Sequence, residues 1–176
     1  MPRREATFAV SAPPGEVWRF IRDFQSLCSC IPGVERLNVL DERTAELTVK
    51  EKVGVVPLIV NLRAQIDAEE PPRRLHATAT AEHLSMAIEV VLVATPSGTE
   101  LTSLFDVKGT GQLKGVVDRL FEKRATERTA QFAESLARRF GGAPAQAPPQ
   151  AAPPQARGGW LSRLWRWLRG SAPTQG

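Results

Sequence analysis

The feature that most constrains this chain is a run of six strand-like segments that fills its middle. They cover residues 34–41, 45–53, 57–68, 74–84, 86–95 and 100–109, and Gly or Pro separates several of them. In the third segment Leu58, Val60 and Leu62 alternate with polar residues such as Asn61 and Arg63. Because one face of this strand is polar, the segments predict an antiparallel sheet with one face in water.

Helical patterns flank the strands on both sides. A short strand over 6–11 leads into a helix over 14–24 and then into a helical turn or two that ends at Gly33. A long helix over 116–140 follows the last strand. The apolar stripes are Val17, Phe20, Ile21 and Phe24 in the first helix, and Val117, Phe121, Ala125, Phe132, Ala133, Leu136 and Phe140 in the last. The order predicts an α+β domain whose curved antiparallel sheet wraps around the long C-terminal helix.

Small residues on the inward strand faces predict an apolar pocket between the sheet and the helix. Ala77, Ala79 and Ala81 lie on one face of their strand and leave volume that a ligand or neighbouring side chains must fill. The alternative is a core filled by residues such as Phe105 and Phe121. Strand parity and the helix stripe give these pocket residues: Phe20, Phe24, Glu51, Leu58, Val60, Leu62, Ala77, Ala79, Met86, Ile88, Val90, Ser103, Phe105, Val117, Leu120 and Phe121.

Two of these pocket residues are polar. Glu51 shares a strand face with Val49, and Ser103 shares one with Leu101. A carboxylate among apolar side chains is costly and often marks a functional contact. Each residue is therefore predicted either to contact the ligand or to lie at a frayed strand end.

Catalytic and metal-binding motifs are absent from the sequence. His76 and His83 fall on the outer face or the end of one strand, and no HExxH, GxSxG, P-loop or Rossmann glycine pattern occurs. Cys28 and Cys30 have no second Cys/His pair to complete a zinc site. We therefore predict a non-enzymatic binding domain without a metal or a covalently bound cofactor.

The net charge of +4 comes entirely from the C-terminal tail. Residues 141–176 hold four Arg and no acid, which leaves 19 basic and 19 acidic residues in 1–140. A neutral domain lacks the basic surface that nucleic-acid binding requires. The start of the chain has no apolar signal region, and no eighteen consecutive apolar residues occur, so we expect a cytoplasmic protein whose closely spaced cysteines are reduced.

The tail changes composition twice. Residues 141–159 are rich in Pro, Ala and Gln and predict a flexible linker, and residues 171–176 predict a disordered end. Between them, residues 160–170 predict an amphipathic helix with Trp and Leu on one side and Arg on the other, suited to an anionic lipid surface. The predicted membrane-binding residues are Trp160, Leu161, Arg163, Leu164, Trp165, Arg166, Trp167, Leu168 and Arg169. The alternative is docking into a groove of this domain or of a partner protein.

Residues near both ends of the domain carry a resemblance to a known family. The segments are Phe8-x-Val10, Ala12-Pro13-Pro14-x-x-Val17-Trp18, Asp23, Leu27, Cys30-Ile31-Pro32-Gly33, Lys52-Val53-Gly54 and the long helix ending in Phe140. Together they resemble the carbon monoxide dehydrogenase G-subunit family of the START-like, polyketide cyclase-like superfamily, over residues 5–140. The resemblance implies a helix-grip fold over residues 1–140 with an apolar cavity. It also implies a membrane-attached accessory role for molybdenum-containing dehydrogenases, with quinone binding in related members. The Ala/Thr row at 77–81 replaces the Gly-rich strands associated with that family.

Three functional hypotheses follow. The first is a carrier, peripheral on the inner face of the cell membrane, that takes an apolar molecule such as a quinone from lipid and presents it to a dehydrogenase of the carbon monoxide dehydrogenase type. The second is an adaptor with a filled core that recruits or helps mature such an enzyme. The third is a cyclase or hydrolase, for which Glu51 would be the lone polar candidate in the cavity.

Overall fold

The alternating segments form one antiparallel sheet in the computed structural model, which describes residues 3–141. The linker from residue 142 on, the tail helix over 160–170 and the end over 171–176 lie outside the described residues. The strands are β1 (Arg3–Val10), β2 (Val34–Val39), β3 (Thr44–Val53), β4 (Val56–Glu70), β5 (Arg74–Ala81), β6 (Leu84–Thr95) and β7 (Gly98–Gly109). The α-helices are α1 (Pro14–Arg22), α2 (Phe24–Cys30) and α3 (Lys114–Phe140), the last preceded by a 3-10 turn over Gly111–Leu113.

The sheet has seven strands in the order β1-β7-β6-β5-β4-β3-β2, and every neighbouring pair is antiparallel. Five of these pairs join strands that are consecutive in the chain, and only β1 with β7 closes over a long separation. The long helix α3 packs on the inner face of the curved sheet near β1 and β7. The predicted α+β fold, a curved sheet around a long C-terminal helix, is therefore confirmed.

Several predicted boundaries differ by one to three residues, and two of the differences have clear local reasons. The strand predicted over 74–84 ends at Ala81, because Ala81 pairs with Leu84 across a two-residue loop in which His83 has a φ of +63°. The helix predicted over 14–24 ends at Arg22. Asp23 has an extended backbone, and its carboxylate accepts the N–H of Gln25 at 3.3 Å and that of Ser26 at 3.2 Å.

Asp23 is thus the N-cap of α2, and replacing it by Ala is expected to destabilise the domain by about 1 kcal/mol. The hydrogen bond from the Ser26 hydroxyl, followed by those from the Ser26 and Gln25 backbone N–H groups, lowers the pKa of Asp23. Its stabilising effect is therefore present above the ordinary pKa and is lost as the pH falls through the lowered folded-state pKa. Urea unfolding at pH 7 and at acid pH measures both effects. Asp23→Asn keeps the acceptor, and equal losses for Ala and Asn at pH 7 would contradict the assignment.

The tightly packed core lies at one end of the fold, where α1 and the last turns of α3 meet the sheet. Phe8 and Phe132 pack edge to face with ring centroids 5.3 Å apart, and so do Phe20 and Phe140. The buried residues of this end are Ala6, Phe8, Val10, Ala12, Val17, Trp18, Phe20, Ile21, Cys30, Ile66, Leu75, Leu92, Leu101, Ala133 and Leu136. We call this region the packed end.

Candidate functional site

The strand residues predicted to line the pocket share one face of the sheet. Opposing residues of antiparallel strands lie on the same face, so the strand register shows which predicted pocket residues share a face. The register pairs Glu51 with Leu58, Val60 with Val49, Leu62 with Leu47, Ala64 with Ala79, Ala79 with Met86, Ala77 with Ile88, Ile88 with Phe105 and Val90 with Ser103. This connected set is the inner face, because Phe8 on the same face contacts Phe132 of α3.

Burial changes along this inner face. Leu92 and Leu101 at the packed end are buried, and Leu101 is only 1% exposed. Toward the other end most large apolar side chains of the sheet are half-buried, and so are those in the first half of α3, although Val107 and Ala79, which both pair with Met86, remain buried. The half-buried residues are Leu58, Val60, Leu62, Met86, Ile88 and Phe105 in the sheet, and Val117, Leu120 and Phe121 in α3. These nine residues form what we call the groove.

Two contacts fix α3 over the groove. At its start, Val117 lies against the end of β7, where a Cβ on Gly109 would be 3.1 Å from the Val117 side chain. In its middle, the Arg128 guanidinium is 2.5 Å from the Glu51 carboxylate of β3. Val117, Phe121 and Arg128 follow the helical spacing, so the same side of α3 faces the sheet throughout. The groove residues of the sheet and of α3 therefore belong to two apolar walls that face each other.

The remaining predicted pocket residues lie elsewhere. Phe20 is 3% exposed against Phe140 in the packed end, and Ala79 and Ser103 are also buried. Ala77 and Val90 are partly buried and pack against the same core. Phe24 lines a cleft of about 490 Å³ outside α1, together with Trp18, Arg19, Arg22, Asp23, Val39, Asp41 and Glu42. The placement of Phe24 on the stripe of the first helix was wrong, because Asp23 ends that helix and Phe24 begins α2.

Glu51 lies in a charged cleft beside the groove, not at a frayed strand end. The cleft has a volume of about 530 Å³ and is lined by Gly33, Val34, Glu35, Lys50, Glu51, Lys52, Arg124 and Arg128. Glu51 Oε1 is bound by Arg128, while Glu51 Oε2 is buried and has no hydrogen-bond partner among the described residues. A buried carboxylate oxygen without a donor is costly, so the cleft offers an acceptor to a polar group of a ligand or to water.

The Glu51–Arg128 pair is expected to stabilise the domain by about 0.5–1 kcal/mol, because both side chains are partly exposed. A double-mutant cycle of Glu51→Gln and Arg128→Gln, followed by urea unfolding, measures this coupling. The Arg124–Glu127 pair lies within α3 at 3.1 Å and provides a matched exposed control. A coupling for Glu51–Arg128 no larger than zero would show that the pair does not hold α3 to β3.

The histidines and cysteines of the described residues lie outside the groove and the charged cleft. His76 lies 3.3 Å from Asp67 on the exposed surface of the sheet, and His83 lies in the β5–β6 turn. Cys28 and Cys30 are buried free thiols, and burial raises the pKa of Cys28 to about 11, which disfavours its thiolate. Within residues 3–141 no three His, Cys, Asp or Glu side chains converge to hold a metal ion. No helix in that range is long and apolar enough to span a bilayer.

The two arginines of the cleft were missed by the sequence interpretation. The alternation of side chains along β3 placed Glu51 on the inner face, where a carboxylate requires a partner. Arg128 continues the spacing of Val117, Phe121 and Ala125 along α3, and Arg124 lies next to that stripe. A search for a cation on the apolar side of the long helix would have found Arg128.

Solved structures share this fold at low sequence identity. A conserved protein from Geobacillus kaustophilus superimposes with a TM-score of 0.66 at 15% identity, over 79% of this chain and 95% of that one. A Thermus thermophilus protein gives 0.60 at 18% identity, over 79% and 97%. A START superfamily protein from Mycobacterium smegmatis gives 0.62 at 14% identity, over 78% and 96%. At these identities the similarity shows the fold, which is START-like.

The comparison with protein families identifies a family, whereas the comparison with solved structures shows the fold alone. No curated protein sequence matches the chain. Residues 7–141, which run from β1 to the end of α3, match the model of the CoxG family, described as the G-subunit of carbon monoxide dehydrogenase. The match covers more than half of the chain and includes both walls of the groove. The chain therefore belongs to the carbon monoxide dehydrogenase G-subunit (CoxG) family.

Proposed function

We propose that this protein is a non-catalytic accessory protein that binds an apolar small molecule of the quinone class in the groove. The observation that carries the proposal is the contrast in burial along one sheet face. Leu101 is 1% exposed at the packed end, whereas the nine groove residues remain half-buried although all are apolar. An apolar ligand would remove these side chains from water and complete the core at that end.

The charged cleft supports a quinone over a plain hydrocarbon. A quinone has an apolar ring and chain but carries two carbonyl oxygens that accept hydrogen bonds. The cleft beside the groove contains Arg124 and Arg128, which keep N–H donors beyond those bonded to Glu127, Glu51 and Gln131. The ring would lie between the apolar walls, with a carbonyl oxygen at the cleft.

The tail and the family supply the proposed setting. Trp160, Trp165 and Trp167, with the arginines among them, suit an anionic lipid surface, so we place the protein in the cytoplasm, peripheral on the inner face of the cell membrane. The family description names carbon monoxide dehydrogenase, so the proposed partner is a molybdenum-containing dehydrogenase of that type. The protein would carry quinone between lipid and this enzyme and so link the enzyme to the membrane.

A ligand-free adaptor is the second candidate. Phe20 is already buried in the packed end, and Ala79 and Ser103 of the predicted pocket are also buried, which favours a core that is partly complete without a ligand. The adaptor would recruit or help mature the dehydrogenase at the membrane by surface contacts alone.

Calorimetric titration of the full chain with decylubiquinone, without vesicles, separates the two candidates. The quinone carrier is expected to bind one equivalent with micromolar or tighter affinity, at least about 8 kcal/mol of binding free energy. Saturable binding would also raise the Tm, because a ligand of the folded state stabilises it. No saturable binding up to the solubility limit of the quinone would favour the adaptor.

A further inference from the structure

The β3–β4 hairpin reaches beyond the rest of the sheet. The pairing of β4 with β5 begins only at Arg63, so the first seven residues of β4, 56–62, pair with β3 alone. On the other side, the pairing of β2 with β3 stops at Val49. Residues 51–58 therefore form a two-stranded tip without a neighbouring strand. We call this segment, together with the flanking pair Lys50 and Ile59, the hairpin tip (residues 50–59).

The hairpin tip exposes large apolar side chains. Val55 is 98% exposed, Val56 61% and Ile59 58%. The outer face of β4 is otherwise polar, with Asn61, Arg63 and Gln65, and this alternation is broken only at the tip. Such a cluster of exposed apolar residues usually marks a contact surface.

The turn itself does not require these residues. Gly54 has a φ of +65°, as the first position of a two-residue hairpin loop demands. The second position of the loop is occupied by Val55. An exposed position of this kind favours polar or small residues, and a β-branched side chain there gains no packing. The apolar side chain at the end of the tip therefore has no role in folding that the structure reveals.

Two lysines flank the apolar end of the tip, where Lys50 also lies 3.5 Å from Glu35 and the one acid of the tip, Glu51, is paired with Arg128. Lys50 pairs in register with Ile59 and Lys52 with Pro57, so both lysines share the outer face of the tip. No acidic residue occurs between Lys52 and Asp67. An apolar end with lysines behind it matches an anionic bilayer, in which valine enters the interface while lysine stays at the headgroups.

We infer that the hairpin tip inserts into the interface of an anionic lipid bilayer and orients the charged cleft and the groove toward that bilayer. Lys50, Glu51 and Lys52 of the tip line the cleft, so a tip in the interface brings the cleft to the headgroups. The proposed membrane contact involves residues of the described domain only and does not involve the tail helix. It does not depend on which molecule the groove binds.

A local probe in the full chain distinguishes the tip from the tail. Val55→Cys and Val93→Cys are each labelled with the polarity-sensitive dye NBD under native conditions, in which Cys28 and Cys30 are buried. Val93 is 53% exposed on β6 and serves as the matched control. With vesicles of phosphatidylcholine and phosphatidylglycerol, the emission of the Val55 label is expected to shift to the blue while that of the Val93 label stays unchanged.

Vesicle sedimentation adds a binding readout. Val55→Asp is expected to weaken vesicle binding of the full chain about tenfold, whereas Val93→Asp has little effect. A chain that sediments with vesicles while its Val55 label stays in water would overturn the inference and leave the tail as the anchor, with the tip free for a protein partner. Equal shifts of both labels, or no sedimentation at all, would overturn it too. The titration with decylubiquinone without vesicles reports on the groove independently of these outcomes.

Discussion

Replacing Ile88 by Trp is expected to weaken quinone binding by the full chain at least tenfold, a loss of about 1.4 kcal/mol. Ile88 is half-buried on the inner face of β6 and pairs with Ala77 and Phe105. Because Ile88 is only half-buried, the larger indole ring is expected to take up the space that the ligand would occupy. Calorimetric titration with decylubiquinone measures the change.

A matched variant lies five residues along the same strand. Val93→Trp makes a similar change in size on the outer face, where Val93 is 53% exposed, and it is expected to leave the affinity unchanged. Ile88→Phe, a smaller change, keeps the comparison valid if the Trp variant unfolds. Equal affinities for the Ile88 and Val93 variants would show that the groove is not the binding site.

Replacing Leu101 by Ala is expected to lower the free energy of unfolding by about 3 kcal/mol. Leu101 is 1% exposed and packs in the core formed by β1, β7 and α1, so the truncation leaves a cavity that rigid neighbours cannot fill. Leu62→Ala removes the same atoms from the groove, where Leu62 is half-buried. It is expected to cost about 1 kcal/mol, because less surface was removed from water there.

Urea unfolding of the two ligand-free variants therefore tests whether the inner face has a packed end and an open end. A ratio of about three between the two losses follows from the difference in burial. Equal losses near 3 kcal/mol would mean that the first half of α3 closes on the sheet in solution. That outcome would support the ligand-free adaptor.

The faces of the strands could be predicted from the sequence because alternation has a period of two. Leu58, Val60 and Leu62 mark the inner face without knowledge of the partner strand. The stripe of α3 was likewise visible from its helical spacing. The assignment to the family, which the match over residues 7–141 shows, rested on short segments such as Cys30-Ile31-Pro32-Gly33.

The positions of these residues along the face could not be predicted. Burial depends on where α3 crosses the sheet, and this is set by long-range contacts such as Phe8 with Phe132 and Arg128 with Glu51. Phe20 consequently lies in the packed end rather than at the groove. The protruding tip depends on the register between β4 and β5, which begins at Arg63 and contains a bulge near Asp67. Neither feature has a local sequence signal.

The most direct test of quinone carriage is mass spectrometry of an organic extract of the full chain, purified from its native membranes in mild detergent. The expected result is one quinone per chain, retained in Val93→Trp and lost in Ile88→Trp. Chains that yield no stoichiometric lipophile, and that cannot be loaded by added quinone, would contradict the proposal and leave a ligand-free adaptor in its place.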